Sequence, residues 1–320
     1  MLDPFFGSPL RENISIQKFF LTLFLTFVTQ QFTVPVAIAE ELRVNGATIR
    51  YTVTGKGSPV VIVGGIAGAA SDYLSPVAKE LSAKHRCIII DMRGTGQSVS
   101  DVIDTSTINV RTILGDLEAV RAKIGIERWI VFGHSWGGMV AMAYAANFPK
   151  RVRALVLVGS GGPDLNFLER FQPNVALRLN SADSAKMTAM NNALRRTNRL
   201  KANAEEFKIC LNAYVYDRTS LDTILPFFTD QGYSSATAEV VWRALFHENY
   251  DIKNALRRYP GQVLEIQGDT DPNGKETAAE IHGVLKNSRV EIMSRTGHFP
   301  WVEQRKKFYS LLLQFVDGFK

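Results

Sequence analysis

The sequence predicts a doubly wound α/β protein with a mostly parallel sheet and an inserted helical cap. Three observations indicate this class. From residue 40 onward, short apolar runs alternate with amphipathic stretches, the pattern of a parallel sheet with helices on both faces. Between residues 163 and 259 the alternation stops, and helical patterns replace it. From residue 260 the alternation resumes and continues to the end of the chain.

Composition narrows the class of protein. The chain has 320 residues, 46% hydrophobic and 21% charged, which is typical of a folded globular protein with a large core. The net charge of +6 is mild, and no run of Lys and Arg is interleaved with aromatic residues. We therefore expect no nucleic-acid partner. The two cysteines, Cys87 and Cys210, lack the spacing of metal ligands, and we expect a buried thiol at Cys87 rather than the alternative Cys87–Cys210 disulfide.

The first 39 residues have the layout of a secretory signal peptide. Basic residues Arg11 and Lys18 precede the apolar run 19–28, and a small-x-small site ends at Ala39. The apolar run is shorter than the roughly 20 residues that a spanning helix needs. We expect export to the periplasm or the extracellular space, with cleavage after Ala39. The alternative is an uncleaved segment that associates the protein with a membrane.

Residues 40–162 form the first part of the predicted core. Strands Leu42–Val44 and Ile49–Val53 are expected to form a hairpin, because Asn45-Gly46 between them is a strong turn signal. Further strands are predicted at Val60–Val63, Ile88–Ile90, Arg128–Phe132 and Ala154–Val158, with helices over Leu74–Leu81 and Val110–Ile124.

The predicted cap occupies residues 163–259, and the second part of the core occupies residues 260–320. In the cap, helices are expected over Asp183–Leu200 and Ala204–Val215. The second core part is expected to contain strands Val263–Ile266 and Val290–Met293, a helix Ala278–Leu285, and a closing helix that begins at Pro300.

Ser135 lies at the junction between a predicted strand and a predicted helix. The flanking sequence is Gly133-His134-Ser135-Trp136-Gly137, which places glycines two residues before and two residues after the serine. Such a turn forces the serine into a strained conformation that only small neighbours permit, so that its hydroxyl stands clear of the sheet. We therefore predict that Ser135 is a nucleophile.

A serine nucleophile needs a general base and a carboxylate that orients the base. Asp271 and His298 each follow a later predicted strand, and the chain order Ser, Asp, His is that of α/β-hydrolases. Asp269 is the alternative carboxylate, in which case Asp271 caps the following helix. The remaining histidines are weaker candidates for the base; they are His85, His134, His247 and His282.

Negative charge that develops in the reaction requires hydrogen-bond donors, which together form an oxyanion hole. The backbone N–H of Trp136 is one candidate, since it begins a helix. The second is expected in the glycine-rich segment Gly64–Gly68, and we assign it to the backbone N–H of Ile66. The glycines in this segment do not form a dinucleotide-binding pattern.

The chain resembles the α/β-hydrolase superfamily over most of residues 40–320 outside the cap. The segments Asp91–Ser98 and Gly133–Gly138 are similar to motifs of its proline iminopeptidase-like members. The resemblance implies an α/β-hydrolase fold, with Ser135 as nucleophile, Asp271 as orienting residue and His298 as base, and a structural role for Arg93 and Gly94. The segment Gly64–Gly68 departs from the His-Gly start usual in that family.

The expected function is that of a serine hydrolase without metal or organic cofactor. It would cleave a small carboxylic ester, amide or short peptide through an acyl-enzyme on Ser135. The alternatives are a proline iminopeptidase-like aminopeptidase, an acyltransferase, or a ligand-binding protein of the same fold without activity. Cap carboxylates would bind the free amine of a peptidase substrate; the candidates are Glu169, Glu205, Glu206, Glu239 and Glu248.

Overall fold

A nine-stranded sheet organises the chain in this computed structural model, which describes residues 37–319. The strands are β1 (Ile38–Val44), β2 (Ala47–Thr54), β3 (Ser58–Val63), β4 (His85–Ile90), β5 (Val99–Ser100), β6 (Trp129–His134), β7 (Val152–Val158), β8 (Gln262–Gly268) and β9 (Ser288–Met293). The order is β1-β2-β4-β3-β6-β7-β8-β9, and β5 pairs with β2.

Pairing from β4 to β9 is parallel, whereas β2 runs antiparallel to β1, β4 and β5. The predicted opening hairpin is confirmed. Its two turn residues, Asn45 and Gly46, both have positive φ angles, 44° and 75°. These are the angles that the twist of a hairpin favours and that Asn-Gly accommodates at low cost.

The core helices cover both faces of the sheet. They are α1 (Ser75–Leu81), α2 (Val110–Lys123), α3 (Trp136–Asn147), α10 (Lys275–Val284), α11 (Pro300–Glu303) and α12 (Arg305–Val316). Apolar residues of α2, α3 and α10 pack in one cluster, and those of α1 and α12 pack in the other. The predicted closing helix is therefore two helices, with a break at Gln304, where the backbone leaves the helical region with φ −131°.

The cap, the helical segment within residues 163–259, lies between β7 and β8. It consists of α4 (Leu168–Arg178), α5 (Ser181–Leu194), α6 (Arg199–Cys210), α7 (Leu221–Ile224), α8 (Ser235–His247) and α9 (Lys253–Leu256). The helix expected over Asp183–Leu200 ends six residues earlier, at Leu194. The side chain of Asn198 then caps α6 by accepting a hydrogen bond from the N–H of Lys201 at 3.0 Å.

A buried ion pair fixes the loop after β4. Arg93 donates to Asp116 from both Nε (2.7 Å) and Nη2 (2.5 Å) and to the carbonyl oxygen of Thr107 (2.9 Å). Thr237 of the cap donates to the carbonyl oxygen of Gly94 at 2.7 Å. The motif around Arg93 thus shapes a loop and holds the cap, in agreement with a structural role.

Cys87 is buried, and both cysteines carry free thiols. The signal-peptide prediction falls on residues outside the described part of the chain, except residues 37–39. Ile38 and Ala39 belong to β1, opposite Val53 and Thr52, so cleavage after Ala39 would shorten this strand by two residues. None of the helices within residues 37–319 combines the length and the apolar character that a bilayer-spanning segment requires.

Candidate active site

Ser135 occupies the sharp turn between β6 and α3. Its backbone has φ 54° and ψ −118°, a region that costs free energy for any residue with a side chain. A Cβ added at Gly133 would lie 2.3 Å from the carbonyl oxygen of Gly137, and one added at Gly137 would lie 2.3 Å from that of Val63. The two flanking glycines are therefore required by space, and the turn holds Ser135 at the wall of a cavity.

Asp271 and His298 form a hydrogen-bonded pair with fully buried side chains. Nδ1 of His298 lies 2.7 Å from Oδ2 of Asp271, and Oδ1 of Asp271 accepts from the N–H of Asn273 at 2.8 Å. The carboxylate therefore accepts at both oxygens. His298 must then carry its proton on Nδ1, which leaves Nε2 free to accept a proton.

Asp269, the alternative carboxylate, points elsewhere. Its Oδ1 accepts from the N–H of Thr296 at 3.1 Å, within the loop that follows β9. Of the two aspartates after β8, the structure thus brings Asp271 to the imidazole of His298.

Nε2 of His298 is buried and has no hydrogen-bond partner among residues 37–319. Ser135 and His298 are close in the fold: the N–H of Ser135 donates to the carbonyl oxygen of Val158 at 3.0 Å, and a Cβ on the next residue, Gly159, would lie 3.0 Å from Nδ1 of His298. No hydrogen bond joins the two side chains here. Such contacts are often longer in ligand-free enzymes and tighten when substrate binds.

The two predicted oxyanion donors, the N–H groups of Trp136 and Ile66, both lie next to the carbonyl group of Gly65. The N–H of Trp136 donates to the carbonyl oxygen of Gly65 at 2.7 Å, and Ile66 lines the same cavity as Ser135. The Trp136 donor is therefore occupied by the chain itself. A bound oxyanion must displace the Gly65 carbonyl to reach it.

A cavity of about 610 Å³ opens above Ser135, between the sheet and the cap. This volume lies in the range of small-molecule sites. Its lining is mostly apolar and aromatic; the large apolar members are Ile66, Trp136, Met139, Phe167, Leu168, Phe171, Phe207, Tyr214, Tyr233, Trp242 and Phe246.

The charged groups of the cavity come from cap helices α6 and α8. Glu239 is the single carboxylate among the described lining residues. It is paired with Arg199 and also accepts from Nδ2 of Asn203 at 2.6 Å. Arg243, also in the lining, has no ion-pair partner in the described part of the chain. The other candidate cap carboxylates are not part of this cavity.

The cap reaches the general-base candidate directly. The N–H of His298 donates to the carbonyl oxygen of Tyr214 at 2.6 Å, and the Tyr214 ring packs edge-on against the His298 ring at a centroid distance of 4.9 Å. Glu303 accepts from the N–H groups of Gly297 (2.7 Å) and Tyr216 (2.6 Å). The sequence does not predict the contact between Glu303 and Tyr216, since the two residues are far apart along the chain.

Asn273 is a further residue that sequence reasoning missed. Its side chain lines the cavity, and its Nδ2 donates to the carbonyl oxygen of Gly159 at 2.7 Å. It lies two residues after Asp271, so it ties the loop that carries the carboxylate to the end of β7.

Two polar side chains of β8 face the interior beneath this site. Glu265 and Gln267 are fully buried, and their terminal oxygen and nitrogen atoms have no hydrogen-bond partner among the described residues. Burial, and next the charge of Asp271, raise the pKa of Glu265 well above its ordinary value. Within residues 37–319, including this site, no three His, Cys, Asp or Glu side chains converge as a metal site requires.

Comparison with known proteins agrees with this architecture. The profile of a family described as alpha/beta hydrolase fold matches residues 58–304. The chain is 38% identical over 106 residues to a proline iminopeptidase of Xanthomonas citri, a match covering 32% of each chain. It is 28% identical over 284 residues to an uncharacterized protein of Mycobacterium bovis, covering 86% of this chain and 80% of that protein.

Among solved structures, the chain is similar to an esterase from Exiguobacterium antarcticum. The TM-score is 0.68 at 20% identity, and the match covers 88% of this chain and 100% of that one. At this identity the likeness concerns the fold.

Proposed function

We propose that this chain, which belongs to the alpha/beta hydrolase fold family over residues 58–304, is a serine hydrolase that cleaves carboxylic esters. One observation carries the proposal. Ser135 is held in a strained turn at the wall of an apolar cavity, beside a buried His298–Asp271 pair, and Nε2 of His298 has no hydrogen-bond partner in the described part of the chain.

The reaction would proceed in two halves. Nε2 of His298 removes the proton from Oγ of Ser135 as Oγ forms a bond to the carbonyl carbon of the substrate. The oxyanion of the tetrahedral intermediate is stabilised by the N–H groups of Trp136 and Ile66. His298 then gives its proton to the leaving oxygen, and the carbon–oxygen bond breaks to leave an acyl group on Ser135. Water, deprotonated by His298, attacks this acyl group and releases the acid and free Ser135.

The lining of the cavity favours an ester with an apolar acyl group over a peptide with a free amine. An aminopeptidase would need a carboxylate available to the substrate amine. Glu239 is the single described candidate in the cavity, and Arg199 and Asn203 already hold it. The aminopeptidase remains the second candidate function, because part of the chain is similar to a proline iminopeptidase.

A fluorophosphonate probe tests the mechanism, because it phosphonylates an activated serine. We expect the wild-type protein to be labelled and Ser135→Ala not to be. Ser160→Ala is the matched control: its hydroxyl is buried near the site but donates to the carbonyl oxygen of Gly161, and this variant should label normally. Labelling of Ser135→Ala, or none of the wild type, would contradict the proposal.

Paired substrates test ester against peptide. We expect turnover of p-nitrophenyl butyrate and none of proline p-nitroanilide. Glu239→Gln should leave ester turnover nearly unchanged. Turnover of the anilide that requires a free amine, and that falls in Glu239→Gln, would favour the aminopeptidase instead.

We also propose that the protein is exported and cleaved after Ala39. The basic and apolar pattern of residues 11–39 supports this proposal. Mass spectrometry of the mature protein should find Glu40 at its N-terminus, and an intact N-terminus would contradict cleavage.

A further inference from the structure

A buried chain of hydrogen bonds connects the oxyanion loop (Gly64–Gly68) to the backbone of His298. The N–H of Gly65 donates to the hydroxyl oxygen of Tyr73 at 2.7 Å. The same hydroxyl lies 2.8 Å from Nδ1 of His134, and Nε2 of His134 lies 2.9 Å from the carbonyl oxygen of His298. Tyr73, His134 and His298 are all buried.

The two ends of this series of hydrogen bonds, the N–H of Gly65 and the carbonyl oxygen of His298, determine which group donates in each bond. A carbonyl oxygen only accepts, so Nε2 of His134 carries a proton. In a neutral imidazole Nδ1 then accepts, and it receives the hydroxyl proton of Tyr73. The Tyr73 oxygen in turn accepts from the N–H of Gly65. A single arrangement of protons therefore satisfies all the groups.

Two features keep His134 neutral. Burial, and next the nearby ring of His298, hold its pKa well below the ordinary value for histidine. The centroids of the two rings are 4.4 Å apart. His298 becomes positively charged in each half of the proposed reaction, and a charged His134 at this distance would oppose that step.

We propose that Tyr73 and His134 are positioning residues that hold the oxyanion loop and the general base in register with Ser135. This inference rests on the proposed serine hydrolase function. Without the Tyr73 hydroxyl, the N–H of Gly65 and Nδ1 of His134 would both lose a buried partner. The peptide between Gly65 and Ile66 would then no longer be held at its N-terminal side, and the two oxyanion donors would not be brought into alignment when an oxyanion binds.

Tyr73→Phe tests the role of the hydroxyl, with Tyr309→Phe as matched control. Tyr309 is also buried, and its hydroxyl has no partner among the described residues. In Tyr73→Phe we expect kcat for ester hydrolysis and the rate of fluorophosphonate labelling to fall together by roughly 10- to 100-fold, since both depend on oxyanion stabilisation. KM should change little, and Tyr309→Phe should match the wild type.

A purely structural role for Tyr73 would lower the melting temperature and leave kcat per labelled active site unchanged. That result would overturn the proposal while the proposed function stands. If instead the wild-type protein is not labelled at all, the proposed function itself has failed.

A measurement on the wild-type protein tests the arrangement of protons directly. In the protein with ¹⁵N-labelled histidine, the resonances of His134 are assigned by their loss in His134→Gln. Between about pH 6 and 8, where ordinary histidines titrate, we expect His134 to remain the neutral tautomer protonated on Nε2. A proton on Nδ1, or an imidazolium in this range, would overturn the proposal.

His134→Gln and His134→Leu separate the polar role from the packing role. A glutamine amide offers one acceptor and one donor, as the neutral imidazole does, whereas leucine offers neither. We expect His134→Gln to retain more of the labelling rate than His134→Leu. Equal rates in the two variants would overturn the proposal.

Discussion

The backbone N–H of Trp136 donates to the carbonyl oxygen of Gly65 at 2.7 Å, and this contact occupies one of the two donors of the proposed oxyanion hole. The carbonyl of Gly65 and the N–H of Ile66 belong to the same planar peptide and point in opposite directions. Rotation of that one peptide would therefore remove an acceptor from the hole and add a donor. Glycine at position 65 lowers the conformational cost of such a rotation, because the rotation changes the ψ angle of this residue.

A crystal structure of the protein after reaction with a diethylphosphoryl ester tests this rotation. We expect the hydrogen bond between Trp136 and Gly65 to be broken. The N–H groups of Trp136 and Ile66 should then lie about 3 Å from the phosphoryl oxygen, as in a formed oxyanion hole. An adduct on Ser135 in which the contact between Trp136 and Gly65 persists would contradict this prediction.

The two aspartates after β8 offer a matched pair of substitutions. Asp271→Asn replaces the acceptor of Nδ1 of His298 by an amide that favours the wrong tautomer and does not stabilise the imidazolium. We expect kcat to fall by about 10⁴-fold. Asp269→Asn keeps an oxygen for the N–H of Thr296, so its kcat should be nearly that of the wild type. Steady-state kinetics on one ester substrate would reveal the reverse order if Asp269 orients the base.

The buried carboxyl of Glu265 predicts a pH-dependent stability. Its raised pKa means that the folded chain binds a proton at pH values where the unfolded chain has lost it. The stability that this group contributes is therefore complete below its unfolded pKa of about 4.3 and falls as pH rises, by up to about 1.4 kcal/mol per pH unit. Glu265→Gln removes this dependence, so the variant should gain relative to the wild type as pH rises.

Urea unfolding at a series of pH values measures the difference between the two proteins. Glu169→Gln, a change at an exposed carboxyl, serves as the control and should follow the wild-type curve. Parallel curves for Glu265→Gln and the wild type would show that Glu265 is not responsible for any pH dependence.

Much of the fold is predictable because its signals are local. The apolar runs that become β3, β6 and β7 are bounded by glycines and polar residues, and Asn45-Gly46 specifies its own turn. The cap is predicted less well, since its helices have weak apolar periodicity and end where side chains such as Asn198 cap the next helix. The break at Gln304 has no local signal.

The candidate site also has some features that the sequence predicts and others that it does not. Ser135, Asp271 and His298 lie in the segments that follow β6, β8 and β9, so the topology of the sheet is enough to expect them at one edge. The contacts around them depend on segments far apart in sequence. Tyr73 lies 61 positions before its partner His134, and no spacing rule links them. His134 is a weak candidate for the base by its position in the sequence, and in the structure its side chain is turned to Tyr73 and to the backbone of His298.

The contact between Tyr214 and the backbone of His298 limits how the cap can move. This hydrogen bond and those of Glu303 join the cap to the loop that carries His298. A cap that moved away from the core near Tyr214 would therefore break the hydrogen bond that anchors the backbone of His298. Substrate therefore cannot enter beside Tyr214 without displacing His298. Substrate that entered past α8, where Arg243 and Phe246 of the cavity lining are exposed, would leave these hydrogen bonds intact.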